Sequence, residues 1–219
     1  RESARGNRRS ARPPKGSASC EDVGVNLRNA ALLIVDMQVD FATAHGSLFV
    51  PGAPAIVPFI ASEITTARAH GIRVIWTQDW HPSEAPHFAP YGGQWPIHCV
   101  AGSPGSEIVP GLSHLTQPED IIIRKGIYGE DGYSAFTVRN EHGMESITQL
   151  HHRLEDLSIS HLEICGVATD WCVRATALDA LKLGYSVTLR ERGVSGIDLE
   201  PGASARAFQE VRMAGGRVG

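Results

Sequence analysis

Apolar residues recur with two periods along this chain. Ala31–Val35 is an unbroken apolar run, the length expected of a strand buried on both faces. From Pro54 to His70 the period lengthens, and Ile56, Val57, Ile60, Ile64 and Ala67 fall on one helical stripe. Pro54 suits the first turn of that helix and Gly71 the position just past its end. Ile72–Thr77 is the next strand, and Ile121–Arg124 a third. Between them lies a Pro-, Gly- and His-rich segment from Trp80 to Glu119, too long to be an idle connection. After a glycine-rich loop, Gly126–Gly132, the pattern predicts an amphipathic helix over Glu145–Leu157 and a strand over 162–167. A helix over Thr169–Leu183 stopped by Gly184, a strand over Tyr185–Leu189 and a helix over Ala203–Ala214 follow. Gly215–Gly219 reads as the start of a sixth strand.

This alternation predicts an α/β protein: a three-layer, doubly wound fold around a mainly parallel sheet of about six strands. Such sheets gather their chemistry beyond the carboxyl ends of the strands. A length of 219 residues suits one sizeable domain. Residues 1–19 carry six cations against Glu2 alone, a balance of +5, so with −4 for the whole chain the remainder carries −9. Residues 1–28 are therefore expected to be a basic, disordered N-terminal extension, a leader or an expression remnant, with the folded domain over 29–219. The extension has no apolar core of a secretory signal. An acidic domain argues against nucleic acid as a partner, and no apolar run approaches membrane-spanning length. Four irregularly spaced cysteines (Cys20, Cys99, Cys165, Cys172) suggest reduced thiols and a cytoplasmic location. There are no internal repeats and no GxGxxG or GxxxxGK[ST] phosphate loop.

Each of the first four strands points a reactive side chain at one rim. The first ends at Asp36, followed by Gln38, Asp40 and Phe41; the second at Asp79, followed by His81; the third at Lys125. The fourth turns into the helix that carries Cys172 in its first turn, where free N–H groups and the helix dipole favour a thiolate. A single Asp after a strand is commonly a turn or capping residue, and a single Cys commonly a small core side chain. Together they make a chemical set: a carboxylate to move the thiol proton and a lysine to stabilise charge. Asp79, His81, His87 and His98 form a second group, whose ligand types suit a divalent zinc, iron or manganese ion. In a chain with ten histidines, spacing alone also allows hydrogen-bonding loop histidines.

The segments Leu33-Ile34-Val35-Asp36-Met37-Gln38-Val39-Asp40-Phe41, Gly46-Ser47-Leu48, Asp79-Trp80-His81-Pro82, His87-Phe88, Trp95-Pro96-Ile97-His98-Cys99, Arg124-Lys125-Gly126, Tyr133-Ser134-Ala135-Phe136 and Gly166-Val167-Ala168-Thr169-Asp170-Trp171-Cys172-Val173 carry a resemblance. The chain resembles the nicotinamidase (pyrazinamidase) branch of the isochorismatase-like cysteine hydrolases over residues 30 to 214. The resemblance implies Cys172 as nucleophile, Asp36 as proton acceptor and donor, and Lys125 as their electrostatic partner. It implies one divalent metal on Asp79, His81, His87 and His98, and a ring pocket walled by Phe41, Leu48, Trp95, Val167 and Ala168. It further implies a cis peptide between Val167 and Ala168, with the N–H groups of Ala168 and Cys172 as an oxyanion hole. The expected reaction is hydrolysis of nicotinamide, and of pyrazinamide, through a thioester, in NAD salvage. The family often self-associates, which leaves a homo-oligomer open.

One departure stands out: Arg192 occupies a usually acidic place, which bears on local loop bonding rather than on any reacting group. Two other readings remain. The same Asp/Lys/Cys set could hydrolyse another small amide or carbamoyl compound, or the fold could be a non-catalytic metal-binding protein. Isochorismatase itself is disfavoured by the presence of Cys172 and Lys125.

Overall fold

A computed structural model describes residues 29–219, so the expectation for residues 1–28, and Cys20 with it, lies outside the described residues. The central sheet is six-stranded and wholly parallel: β1 (Ala30–Val35), β2 (Arg73–Asp79), β3 (Ile121–Lys125), β6 (His161–Val167), β7 (Ser186–Ser195) and β8 (Arg217–Val218). A separate two-stranded antiparallel ribbon joins β4 (Thr137–Arg139) to β5 (Glu145–Ile147). Helices α1 (Val39–Ala42), α2 (Ala53–Ala69), α3 (Pro110–Ser113), α4 (Leu150–Asp156), α5 (Arg174–Lys182) and α6 (Ala203–Met213) connect them. The strand order is β3-β2-β1-β6-β7-β8. The chain winds outward from β1 to β3 and then returns to the other side of β1, so order reverses between β1 and β6. That switch point is where a doubly wound sheet opens a cleft.

Alternate side chains of β1 feed the two faces, as the pleat requires. Leu32 and Ile34 pack with Ile56, Ile60 and Ile64 of α2, while Leu33 and Val35 pack with Leu154 of α4, Ala177 of α5 and Val211 of α6. All six β1 residues are buried, which accounts for the unbroken apolar run. At the switch point β1 and β6 run too close for a side chain. Gly166 has φ 120°, and a Cβ there would lie 2.0 Å from the carbonyl oxygen of Val35.

The structure corrects three sequence expectations. The helix expected over Glu145–Leu157 begins only at Leu150, and Glu145–Ile147 is β5. Asn140 makes the turn before it, its side-chain oxygen accepting the N–H groups of His142 and Met144, and Thr148 then accepts the Leu150 N–H. The strand expected to stop at Leu189 runs on to Ser195, with a register shift that lets its charged residues pass. In that stretch Arg190 pairs with Glu63 at 2.8 Å, and Arg192 stacks its guanidinium on Phe59, 5.0 Å from the ring centre. The helix expected from Thr169 opens as one wide turn, Thr169–Val173, before α5 takes over. Its mark is the Val173 N–H, which donates five residues back to Ala168. Among the described residues no helix is long and apolar enough to cross a membrane, and Cys99, Cys165 and Cys172 are free thiols.

Candidate active site and metal centre

Four neighbouring strand ends supply the reactive groups. Asp36 follows β1 with φ 50°, which turns its carboxylate out of the sheet. Thr77 of β2 holds it there: the Thr77 hydroxyl donates to Asp36 Oδ1 at 2.6 Å and accepts the Asp36 N–H at 3.1 Å. Gln38 fixes the end of β2, accepting the Asp79 N–H at 2.8 Å and donating to the Asp79 carbonyl at 2.7 Å. Lys125 closes β3, and its side chain is 1% exposed. The Lys125 ammonium lies 2.8 Å from Asp36 Oδ2, 2.8 Å from Asp79 Oδ1, 3.3 Å from the Tyr133 carbonyl and 3.8 Å from Cys172 Sγ. One buried cation therefore joins two carboxylates and the thiol.

Burial and charge divide these groups. Burial raises the Asp36 carboxyl above the usual range, opposed by Lys125 and reinforced by Asp79. Asp79 is also buried, yet Lys125, His81 and His98 hold its carboxyl well below that range. Lys125 stays charged, since Asp36 and Asp79 outweigh the cost of burying it. Burial pushes the Cys172 thiol well up, and Asp36 and Asp79 add to that against Lys125. The position of Cys172 in an opening helical turn predicts a thiolate. Desolvation and the two carboxylates pull the other way and favour the thiol, beside a carboxyl with raised proton affinity.

The second group lies against Asp79 on the other side. One ring nitrogen each of His81, His87 and His98 falls within 4.8 Å of the others. Nε2 of His81 and of His98 lie 3.7 and 3.9 Å from Asp79 Oδ2. His98 Nδ1 sits 2.7 Å from the Pro96 carbonyl, which can only accept, so that nitrogen carries the proton and Nε2 keeps its lone pair. His87 buries both ring nitrogens without a hydrogen-bond partner, as His81 does its Nδ1. Burial, then His81 and His98, push the His87 imidazole down to about 4, and burial lowers His98 as well. Clustered imidazole nitrogens without partners around an ionised carboxylate fit a divalent cation.

Both groups line one cavity with Phe41, Leu48, Trp95, Val167 and Ala168, and a cis peptide joins Val167 to Ala168. Lys125 lies behind the wall. The structure thus brings together every residue given a catalytic, metal-binding or pocket-wall role from the sequence. It adds Tyr133, Trp171, Asp131, Val50 and Ile197 to the lining, none of which was given a role beforehand. Tyr133 and Trp171 were at least legible within the quoted segments. The Tyr133 hydroxyl accepts the Trp95 indole N–H at 3.1 Å, and Trp171 meets Trp95 edge-on with centroids 5.0 Å apart. Ile197 had no local signal, because its place depends on the path the chain takes after β7.

Comparison with known proteins agrees with this geometry. The Isochorismatase domain family matches residues 30–219. The nicotinamidase of Escherichia coli (strain K12) is 38% identical over 200 residues, covering 84% of this chain and 92% of that one. The pyrazinamidase of Pyrococcus horikoshii in complex with zinc superposes with a TM-score of 0.76 at 38% identity, covering 87% and 98% of the two chains. PnC1 from L. infantum in complex with nicotinate gives 0.78 at 36% identity, covering 90% and 94%. A likeness that runs through the whole described fold, and not just through the strand ends, decides the matter: this chain belongs to the isochorismatase family.

Proposed function

We propose that this protein is a metal-assisted cysteine amidohydrolase that converts nicotinamide to nicotinate and ammonia, and accepts pyrazinamide. The supporting observation is the Lys125 ammonium, which touches Asp36 and Asp79 and reaches Cys172 beside the clustered ring nitrogens of His81, His87 and His98. A related activity on other small amides would leave that imidazole cluster without a use, and the relatives favour the pyridine carboxamide.

Asp36 takes the Cys172 proton, a transfer its raised proton affinity favours. Lys125 stabilises the thiolate as it forms. The thiolate adds to the carboxamide carbon, and the backbone N–H groups of Ala168 and Cys172 receive the developing oxyanion. The Asp36 carboxyl returns its proton to the nitrogen, ammonia leaves, and a thioester to Cys172 remains. Asp36 next deprotonates water, whose oxygen attacks the thioester carbon, and the departing sulfur recovers its proton from Asp36. Asp79, His81, His87 and His98 would hold a zinc, iron or manganese ion, which supplies a Lewis-acid contact for the ring nitrogen of the substrate. Phe41, Leu48 and Trp95 would wall the ring. The same reading infers a cytoplasmic enzyme of NAD salvage, active alone or as a homo-oligomer.

The test is release of ammonia and nicotinate from nicotinamide by chelator-treated protein, with each metal restored in turn. Stoichiometric, metal-dependent release is expected. No release with any of the three metals, from folded protein with a titratable Cys172, would rule out nicotinamide.

A further inference from the structure

Asp170 is a buried carboxylate for which the proposed chemistry has no use. It lies in the Thr169–Val173 turn, two residues before Cys172, and is 8% exposed. Its Oδ1 accepts the Ile197 N–H at 3.0 Å and its Oδ2 the Asp198 N–H at 2.9 Å. Both donors belong to the segment between β7 and α6, where Ile197 reaches the cavity wall. A buried carboxylate spent on two consecutive backbone N–H groups is a strong, directional tie. The segment also lies hard against its anchor. A Cβ on Gly196 would come 2.9 Å from Asp170 Oδ1 and 2.0 Å from Ser204 Oγ. Beyond Ile197, the Asp198 carboxylate accepts the Ser204 N–H at 2.8 Å and its hydroxyl at 2.7 Å, fastening the segment to the first turn of α6. Ile197 is thus held from both ends, and one anchor shares a turn with Cys172.

We propose that Asp170 is a positioning residue that fixes Ile197 as the wall limiting how large an aromatic carboxamide the cavity admits. The proposal rests on the amidohydrolase reading for its substrate class. A rigid aliphatic wall discriminates by size, and one methylene of misfit is worth roughly 10- to 200-fold. A wall free to drift loses that discrimination and the binding energy the wall supplied to ground and transition state alike.

The experiment is a double-mutant cycle of Asp170→Asn and Ile197→Ala, assayed with nicotinamide and with quinoline-3-carboxamide, its analogue bearing a fused second ring. An asparagine keeps one acceptor and turns an amide donor toward the other N–H. Each single variant is expected to raise KM for nicotinamide about tenfold with kcat within about threefold, and to shift preference toward the larger amide. The double variant should be no worse than the worse single one, because both changes remove the same wall. Amide hydrogen exchange at Ile197 and Asp198 should speed at least tenfold in Asp170→Asn, with the α6 interior unchanged. Multiplicative KM losses, or unaltered exchange at those two amides, would overturn the proposal. If Asp170→Asn does not fold, Ile197→Ala alone decides the wall: an unchanged preference between the two amides overturns it. Metal-restored wild-type protein that releases no ammonia from either amide refutes the nicotinamide reading instead, and exchange at the two amides still decides the anchor.

Discussion

The two halves of the cavity handle buried polarity in opposite ways. Around Lys125 the charges answer one another: one ammonium meets two carboxylates at 2.8 Å each, and Thr77 satisfies a further Asp36 oxygen. Around His87 they do not, since both its ring nitrogens are buried without partners. The first half finds its opposite charges within the chain itself, as expected of groups that exchange protons during a reaction. The second half offers ring lone pairs that no group of the chain takes up, which a divalent cation would accept. Asp79 belongs to both, giving Oδ1 to the lysine and Oδ2 to the histidines. It ties the state of the metal half to the charge of the catalytic half.

The largest effect should come from Cys172→Ala. Loss of the sulfur that forms the thioester is expected to lower kcat by roughly 10⁴-fold or more, with folding and metal content retained. A coincident loss of metal would show the halves to be less separate than their hydrogen bonding implies. Next comes a pair of variants that sets the halves against each other. Lys125→Met leaves two carboxylates buried with no cation, and should cost about 3–5 kcal/mol in urea unfolding of the metal-free protein. His87→Ala removes a ring whose nitrogens bind nothing in the protein. It should cost about 1 kcal/mol or less in the same experiment, while lowering metal affinity at least tenfold in a chelator competition. Equal destabilisation by the two variants would erase the distinction.

Much of this site was legible because it stands at strand ends. The apolar runs before Asp36, Asp79 and Lys125 locate the carboxyl edge of a parallel sheet, and parallel winding alone puts those residues on one rim. The central strands were equally plain, since burial on both faces leaves a continuous apolar signature. What failed lay where tertiary contacts override local pattern. Glu145–Ile147 has helical periodicity with the following residues, yet the Asn140 turn pairs it with Thr137–Arg139. The charged run Arg190-Glu191-Arg192 hid the second half of β7, because its partners, Glu63 and the Phe59 ring, are distant in sequence. The forces acting on the Cys172 proton were only half legible for a related reason. The helix start is a local feature, whereas Asp36 and Asp79 arrive from other strands. Ile197 shows the limit: its place is set by a carboxylate 27 residues earlier.

The smallest predicted effect tests how far the self-sufficiency of the catalytic half depends on single hydrogen bonds. Thr77 and Asp36 exchange two, the hydroxyl donating to Oδ1 and accepting the N–H. Thr77→Val keeps the shape and removes both. Leaving a buried N–H and one carboxylate oxygen without that partner should cost about 1–3 kcal/mol of stability. The Thr77 hydrogen bond favours the ionised carboxylate, so its loss raises an Asp36 pKa already above the ordinary value. Asp36 must be ionised to accept the thiol proton, so the acid limb of the kcat/KM profile should move to higher pH, with plateau activity reduced about tenfold or less. Thr77→Ser restores the hydroxyl and should return the limb to its wild-type position. If the valine variant loses activity with no movement of the acid limb, Thr77 holds the geometry of Asp36 without setting its proton affinity. The carboxylate would then owe its behaviour to burial, Lys125 and Asp79.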